Sequence, residues 1–585
     1  MWLKYRKASS VIRNFTGNDG KGGEAEMHPV RDRLAGGRFL LATLVLLSML
    51  TFLFGGCGRK EAVSQPKPKI LIPALSRGGE LIYGSTQEPD TLNPYLSERL
   101  ATSEVGSLVF SGLLLRDADG RWQPDLAVKV PDLANGGVSK DGLVVTYHLR
   151  PGVVWHDGHP FTSEDVLFTW QTIMDRRFQA VMRDGYDRIA VVETPDKNTV
   201  VLRFREFYAP YLTLFPVILP KHLLEKETDL NSAAFNRAPI GTGPFRLKEW
   251  RIGEALTLEA NADYYRGRPV LDRIVYKIIP DSSTLLVQLK AGELDIVGNV
   301  NPSQIDQVKA ISGMKTIVTP DAIWEHMAFN LDNALFQDIR VRKAIALAVD
   351  RETIINNILR GAGFPAAGDQ PPSSWAHNPA LRPETRNVEK ARALLAEAGY
   401  QPGSDGIMVK DGRKLAFTIT TTAGNNIRES EAQLIINQLK EIGVSAETKF
   451  VDAASLFGSV LKARRFEAAL YAWAAGPDPD NYSLWNSRCI PGPGNGYEGY
   501  NYPGWRNQEI DRLTEQAIGT ADCVIRKAMY NRIQELLMDE CPVVPLYFRA
   551  TVAVAKDRVQ NFRPNPTLSG NLWDAWQWAL TSPRQ

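Results

Sequence analysis

The sequence predicts an α/β protein with a parallel sheet. Two stretches carry that prediction. Residues 388–473 read as helix, strand, helix, strand, helix, strand, and residues 141–170 read as strand, two tight turns and a capped helix. In the first stretch Val388, Ala391, Leu395 and Ala398 make a helical stripe closed by Gly399. Leu415, Phe417 and Ile419 then alternate as a strand. Helix Glu429–Glu441, strand Val444–Val451, helix Ala454–Ala463 and strand Phe466–Trp473 follow. A β-α-β-α-β run implies parallel strands joined by right-handed crossovers. Ligands of such sheets bind beyond the carboxyl ends of the strands. The segment just after Trp473 is therefore where a site is expected.

In the second stretch Val144 to Leu149 alternates, and Pro151-Gly152 and Asp157-Gly158 with Pro160 supply two turns. Thr162 then stands as an N-cap before Ser163, Glu164 and Asp165. The ordered body is expected to begin at Glu80, with Leu81, Tyr83 and Ser85 alternating, and Gln87–Leu114 reads as a loop and an amphipathic helix. Pro239–Phe245 is glycine-rich, which suits a turn or a close approach of backbone before strand Phe245–Trp250. Leu285–Ile296 reads as a helix with Gly292 near its end and then a strand. Asp338 and Asp350 are placed to cap two successive helices.

The chain has 585 residues, 44% hydrophobic and 23% charged, an ordinary globular composition. With 68 basic against 66 acidic residues it offers no electrostatic case for nucleic acid. Arg31, Arg33 and Arg38 precede an uncharged run, Phe39–Phe54, followed at once by Gly55-Gly56-Cys57. That order describes an export signal. The run would span about 24 Å, short of the ~30 Å hydrocarbon core of a bilayer. Cys57 directly after two glycines points to a lipidated first residue of the mature chain. Met27 would start a signal of ordinary length. Gly58–Gly79, with Gln65-Pro66-Lys67-Pro68-Lys69, reads as an extended tether. Cys489, Cys523 and Cys541 make no evident disulfide framework.

The wording from His148 to Val166, HLRPGVVWHDGHPFTSEDV, closely resembles the signature of family 5 extracellular solute-binding proteins, the large receptors of bacterial ABC importers. Gln87–Leu114, Pro239–Phe245, Leu285–Ile296 and Met327–Asn330 continue the resemblance. It implies a two-lobed periplasmic-binding-protein-like α/β fold with an additional subdomain. The implied parts are a leader and lipoprotein signal (1–57), a tether (58–78), lobe I (79–112, 238–327 and 545–585), the extra subdomain (113–237) and lobe II (328–544). It implies a monomeric binder, not an enzyme, that calls for no metal or cofactor. The receptor would be exported and lipid-anchored, take oligopeptides and deliver them to a permease and its ATPase. Oligosaccharides, nickel chelates or opines are the alternatives within the family. A sensory receptor or a hydrolase are the alternatives outside it. HExxH, nucleophile-elbow and phosphate-loop motifs are absent from the sequence.

The loop after Trp473 reads AAGPDPDNYSLW. Asp478 and Asp480 are acceptors, and Trp473, Tyr482 and Trp485 are large, rigid contact surfaces. Both acids could instead cap turns, and the aromatics could be core. Dipeptide-binding members of the family carry an aspartate three residues after the tryptophan for the peptide α-amine, where this chain has Gly476. Their carboxylate-binding arginine also lacks an obvious counterpart, with Thr422 near its place and Arg428 close by. Glu98 aligns with an acid that can face the ligand amine in oligopeptide members. The expected ligand-binding residues are thus Glu98, Trp473, Gly476, Asp478, Asp480, Tyr482 and Trp485, and Cys57 is the expected lipidation site.

Overall fold

The computed structural model describes residues 75–567 and 569–581. Cys57, the leader and residues 58–74 of the expected tether lie outside the described residues. The ordered chain starts earlier than Glu80: Leu75–Ser76 pair antiparallel with Leu580–Thr581, which supplies their backbone groups with partners.

An eleven-stranded sheet organises the molecule. In chain order its strands are β1 (Glu80–Ser85), β2 (Phe245–Arg251), β3 (Ala255–Ala260), β4 (Arg273–Ile278), β5 (Ile296–Val297) and β6 (Met314–Phe329). They continue with β7 (Gly363–Pro365), β8 (Ala416–Thr422), β9 (Ser445–Val451), β10 (Ala468–Ala474) and β11 (Val543–Lys556). The spatial order is β9-β8-β10-β6-β11-β5-β1-β4-β3-β2, with β7 pairing β11 to the side. The expected parallel unit is present: β8 pairs parallel with both β9 and β10. Helix Asn426–Glu441 crosses from β8 to β9. The expected helix Ala454–Ala463 is instead a short α-turn, Ala453–Ser455, followed by a π-type turn, Leu456–Val460.

The long strands β6 and β11 run antiparallel through the middle of the sheet. Their pairing is interrupted between Pro320 and Trp324, and Arg549 falls in the break. On one side, Met314–Pro320 pair with Ala550–Lys556. On the other, Trp324–Ala328 pair with Val543–Phe548. Separate cores flank the break. One gathers Leu81, Tyr83, Leu256, Ile274 and Trp578 with the apolar residues of 113–237. Two others, on opposite faces of the sheet, are centred on Met327, Ile345 and Ile435, and on Trp324, Trp485 and Ile533. Residues 113–237 add a three-stranded sheet, Val144–His148, Ile189–Asp196 and Thr199–Phe204, and helix Ser163–Met174.

Local chemistry explains the joints. Asp165 accepts the Thr162 N–H at 2.9 Å, and Asp338 and Asp350 cap their helices as expected. At Gly241 a Cβ would lie 1.8 Å from the Val109 carbonyl oxygen, and Gly243 N–H donates to that same oxygen at 2.8 Å. His156 locks the block from the other side: it receives Gly241 N–H on Nδ1 and meets Gly243 O through Nε2 at 3.0 Å. Burial holds this imidazole neutral, its pKa pulled down to about 4.

Candidate functional site at the carboxyl edge of the sheet

β8, β9 and β10 all end at one edge of the sheet, at Thr422, Val451 and Ala474. The break in β6 lies at that same edge: Ile323 pairs with Ala474, and Ala475 N–H donates to Ala322 O at 2.9 Å. The loop after Trp473 therefore starts at the point where the two long strands cross between cores. That is where an open α/β sheet presents a ligand crevice.

The expected site residues divide into two groups. Trp473 is half-buried. It packs among Phe457, Tyr471, Tyr500 and Tyr502, the last nearly parallel to it at 6.0 Å. Gly476 is exposed, and a Cβ there would meet only the Asp478 carbonyl oxygen, at 3.4 Å. Tyr482 is half-buried at the start of a short helix, Tyr482–Trp485. Asp480 is exposed and accepts the Tyr482 N–H at 2.9 Å, as a cap does. Glu98 is exposed just ahead of helix Leu100–Val109.

Trp485 and Asp478 turn inward instead. Trp485 is 2% exposed, packed near Trp324 and Trp505, and presents no free face to a ligand. Its indole N–H donates to Asp369 Oδ2 at 2.7 Å, and Asn481 Nδ2 donates to the same oxygen at 2.9 Å. Burial raises the Asp369 carboxyl pKa. Asp478 is consumed by a buried ion pair with Arg526. The physical reason is the same for both: the prolines bend the loop onto helix Cys523–Glu540 and segment 366–375, whose polar groups need buried partners.

Sequence reasoning passed over a second constellation at this edge. Glu325 is fully buried and is gripped by two guanidiniums. Arg428 reaches its Oε1 and Oε2 at 3.1 and 3.2 Å, and bonds Thr422 Oγ1 at 3.1 Å. Arg549 reaches Oε1 through Nε at 3.1 Å and also through Nη2. Glu431 bonds the Tyr547 hydroxyl, and burial, with Glu325 beside it, pushes its pKa up to about 8. Across the sheet His326 is buried between Trp324 and Tyr471, its pKa pulled down by burial to about 3. The signal was available: Glu325, His326 and Arg549 are ionisable residues inside otherwise apolar strand runs.

Residues 116–122 and 207–213 close over this edge. Arg116 Nη2 donates to Ser373 O at 3.3 Å, and a narrow gap separates Trp122, Phe207 and Tyr211 from Trp375, Pro477 and Cys523. Cys489, Cys523 and Cys541 are free thiols.

Residues 125–492 match the family described as bacterial extracellular solute-binding proteins, family 5 Middle. The chain is 30% identical over 552 residues to the oligopeptide-binding protein AppA of Bacillus subtilis, covering 92% of this chain and 98% of that one. The structure of that AppA in complex with a nonapeptide superposes with a TM-score of 0.57, covering 87% of this chain and 100% of that one. NikZ from Campylobacter jejuni, solved with Ni(L-His), is 28% identical with a TM-score of 0.60, covering 86% of this chain and 99% of that one. Heme-binding protein A of Haemophilus influenzae is 28% identical over 456 residues, covering 73% of this chain and 80% of that one.

Proposed function

Because this chain belongs to the family 5 bacterial extracellular solute-binding proteins, we propose that it binds oligopeptides at the carboxyl edge of its sheet and delivers them to an ABC permease. One observation carries the peptide reading. The cleft loop offers an exposed Gly476 beside the half-buried Trp473, while of its two acids Asp478 is paired with Arg526 and Asp480 accepts the Tyr482 N–H. Such a surface suits extended backbone and side chains better than a captured α-amine. Likeness along nearly the whole chain to a protein solved with a nonapeptide supports the same reading.

In this proposal the break at Pro320–Trp324, facing Arg549, is the crossing between lobes I and II. The span 113–237 is the extra subdomain that covers the cleft mouth. Closure over ligand would enclose it. The exported receptor works as a monomer that performs no chemistry and is held at the membrane by lipid on Cys57. A metal-chelate ligand is the second reading, favoured by the likeness to NikZ. Mass spectrometry of ligand co-purified with the protein, followed by calorimetry with peptides of about three to eight residues and with Ni(L-His), separates the two. Tight binding of Ni(L-His) with none of the peptide pool would replace the peptide reading.

A further inference from the structure

One hairpin of the span 113–237 reaches across to segment 366–375. Its strands are Leu114–Arg116 and Trp122–Pro124, paired antiparallel. A loop tip ordinarily stands in solvent, yet Gly120 at this tip is buried. Ser373 is what it meets. A Cβ on Gly120, whose φ is +77°, would lie 1.6 Å from the Ser373 carbonyl oxygen. Arg116 Nη2 donates to that same oxygen at 3.3 Å, and Arg116 Nε donates to Gly120 O at 2.9 Å. One guanidinium therefore ties the tip to itself and to its partner.

Both sides of the contact are held rigid. In the hairpin, Asp117 Oδ1 accepts the N–H groups of Asp119 and Arg121 at 3.0 and 2.8 Å, and its Oδ2 accepts Gln123 Nε2 at 2.8 Å. Behind it, Asn565 Nδ2 donates to Arg116 O at 2.9 Å, and Arg563 pairs with Asp119 at 3.2 Å. On the receiving side Gln370 Nε2 donates to Pro479 O at 3.3 Å, and Lys527 Nζ to Trp375 O at 2.6 Å. The segment that receives the hairpin is thus the one on which the loop after Trp473 rests. Asp478 of that loop, with Asp117, is an acid whose charge Arg116 feels. Docking a tip that is already ordered loses little conformational entropy, so even a small contact counts.

We propose that Arg116 and the tip Asp117–Arg121 form a latch: docked on Ser373, they hold residues 113–237 against lobe II and set how long a ligand stays enclosed. Arg116 is a positioning residue here, acting through Ser373 and the segment behind it. The assignment rests on the enclosure of ligand proposed above and adds the contact that must open for release.

Hydrogen–deuterium exchange of the full chain without ligand tests the latch in the wild type, Gly120→Ala and Arg116→Gln. Gly136→Ala is the control for backbone strain, because its φ is +72° and a Cβ there meets nothing within 4 Å. In Gly120→Ala and Arg116→Gln, exchange should quicken at least about threefold in residues 114–124 and equally in 366–375. Gly136→Ala should quicken neither. Faster exchange in the hairpin alone, no change in either segment, or the same response in Gly136→Ala overturns the proposal. Surface plasmon resonance with hexa-alanine reads the consequence. Dissociation should speed up about 3- to 10-fold in Arg116→Gln and at least as much in Gly120→Ala, with association within about twofold of the wild type. An unchanged dissociation rate overturns the role in ligand retention. If neither hexa-alanine nor a mixed pool of three to eight residues binds the wild type, the peptide reading itself has failed, and the exchange result decides the latch by itself.

Discussion

Asp478 and Arg526 form a two-pronged ion pair, Oδ1 to Nη2 at 2.7 Å and Oδ2 to Nη1 at 3.0 Å, with both side chains almost wholly buried. Arg526 also lies over the Trp375 ring and donates to the Tyr530 hydroxyl at 3.2 Å. The cleft loop is thereby fastened to helix Cys523–Glu540. Removing one partner strands a buried charge. Asp478→Ala is expected to cost roughly 3–5 kcal/mol in urea unfolding, whereas replacing both partners by apolar residues should cost much less. A loss below about 1 kcal/mol for Asp478→Ala would mean that the pair is solvated in solution.

Trp485 separates stability from binding. Trp485→Phe keeps a ring in the core but removes the N–H that Asp369 accepts at 2.7 Å. It should cost about 1–3 kcal/mol of stability and leave peptide affinity within roughly twofold. Trp473→Ala should do the reverse and weaken binding, because Trp473 stands half-exposed at the edge of the sheet where the loop begins. A loss of affinity in Trp485→Phe equal to that in Trp473→Ala would return Trp485 to the ligand surface.

These two residues also mark what could be read in the sequence. Local rules carried the caps at Asp338, Asp350 and Thr162, the strands around β8, and the need for glycine at 241. Each depends on neighbours a few residues away or on a backbone requirement that only glycine meets. The parallel sheet pointed to one edge as the place for a candidate site. Which loop residues face out was not legible, because Asp478 finds Arg526 across 48 residues and Trp485 finds Asp369 across 116. Those partners are chosen by how the loop packs, and an aspartate offered to a ligand looks the same in sequence as one offered to an arginine. The Glu325 cluster left a signal, ionisable residues in apolar strand runs, but its pairing was not legible, with Arg428 and Arg549 arriving from 103 and 224 residues away.

The Gly241–Val109 contact is a packing constraint with a large expected penalty. A methyl at 241 would sit 1.8 Å from backbone oxygen, which cannot rotate aside. Gly241→Ala should therefore lower stability by several kcal/mol or prevent folding, with circular dichroism and urea unfolding as the readout. Gly253→Ala, where a Cβ meets nothing within 4 Å, is the control. Its φ of +73° should limit the loss to the ordinary left-handed penalty of about 1–2 kcal/mol.

Glu431 gives stability a pH dependence of defined sign. An unfolded glutamate titrates near 4.5, whereas burial and then Glu325 push this one up to about 8. Between those values the native state holds a proton that the unfolded chain has released. Its contribution is therefore fully present below 4.5 and is lost as pH rises through about 8. Glu104 and Asp574, raised by burial to about 6 and about 7, slope the same way at lower pH. His156 and His326, depressed to about 4 and 3, slope the opposite way below 6.5. From about pH 7 to 8.5 the Glu431 slope should dominate. Urea unfolding should show stability falling across that window in the wild type and staying flat in Glu431→Gln. An identical fall in both proteins would assign the proton elsewhere.

Gly476 decides how the ligand's amino end is treated. Nothing charged is supplied at that position, and Asp478 is spent on Arg526. N-acetylation of a bound peptide should therefore change affinity by less than about tenfold, or ~1.4 kcal/mol. The position can accept a side chain: its φ is outside the left-handed region, and an added Cβ meets one carbonyl oxygen at 3.4 Å. Gly476→Asp should fold with a stability change under about 1 kcal/mol and place a carboxylate beside Trp473. Free peptides should then bind it more than about tenfold better than acetylated ones, since a charge pair in a closed cleft is screened far less than on an open surface. Calorimetry with matched free and acetylated peptides of about four to eight residues reads both proteins. A hundredfold loss on acetylation in the wild type would show that another acid already holds the amine, with the exposed Glu98 and Asp480 the first to be replaced by alanine.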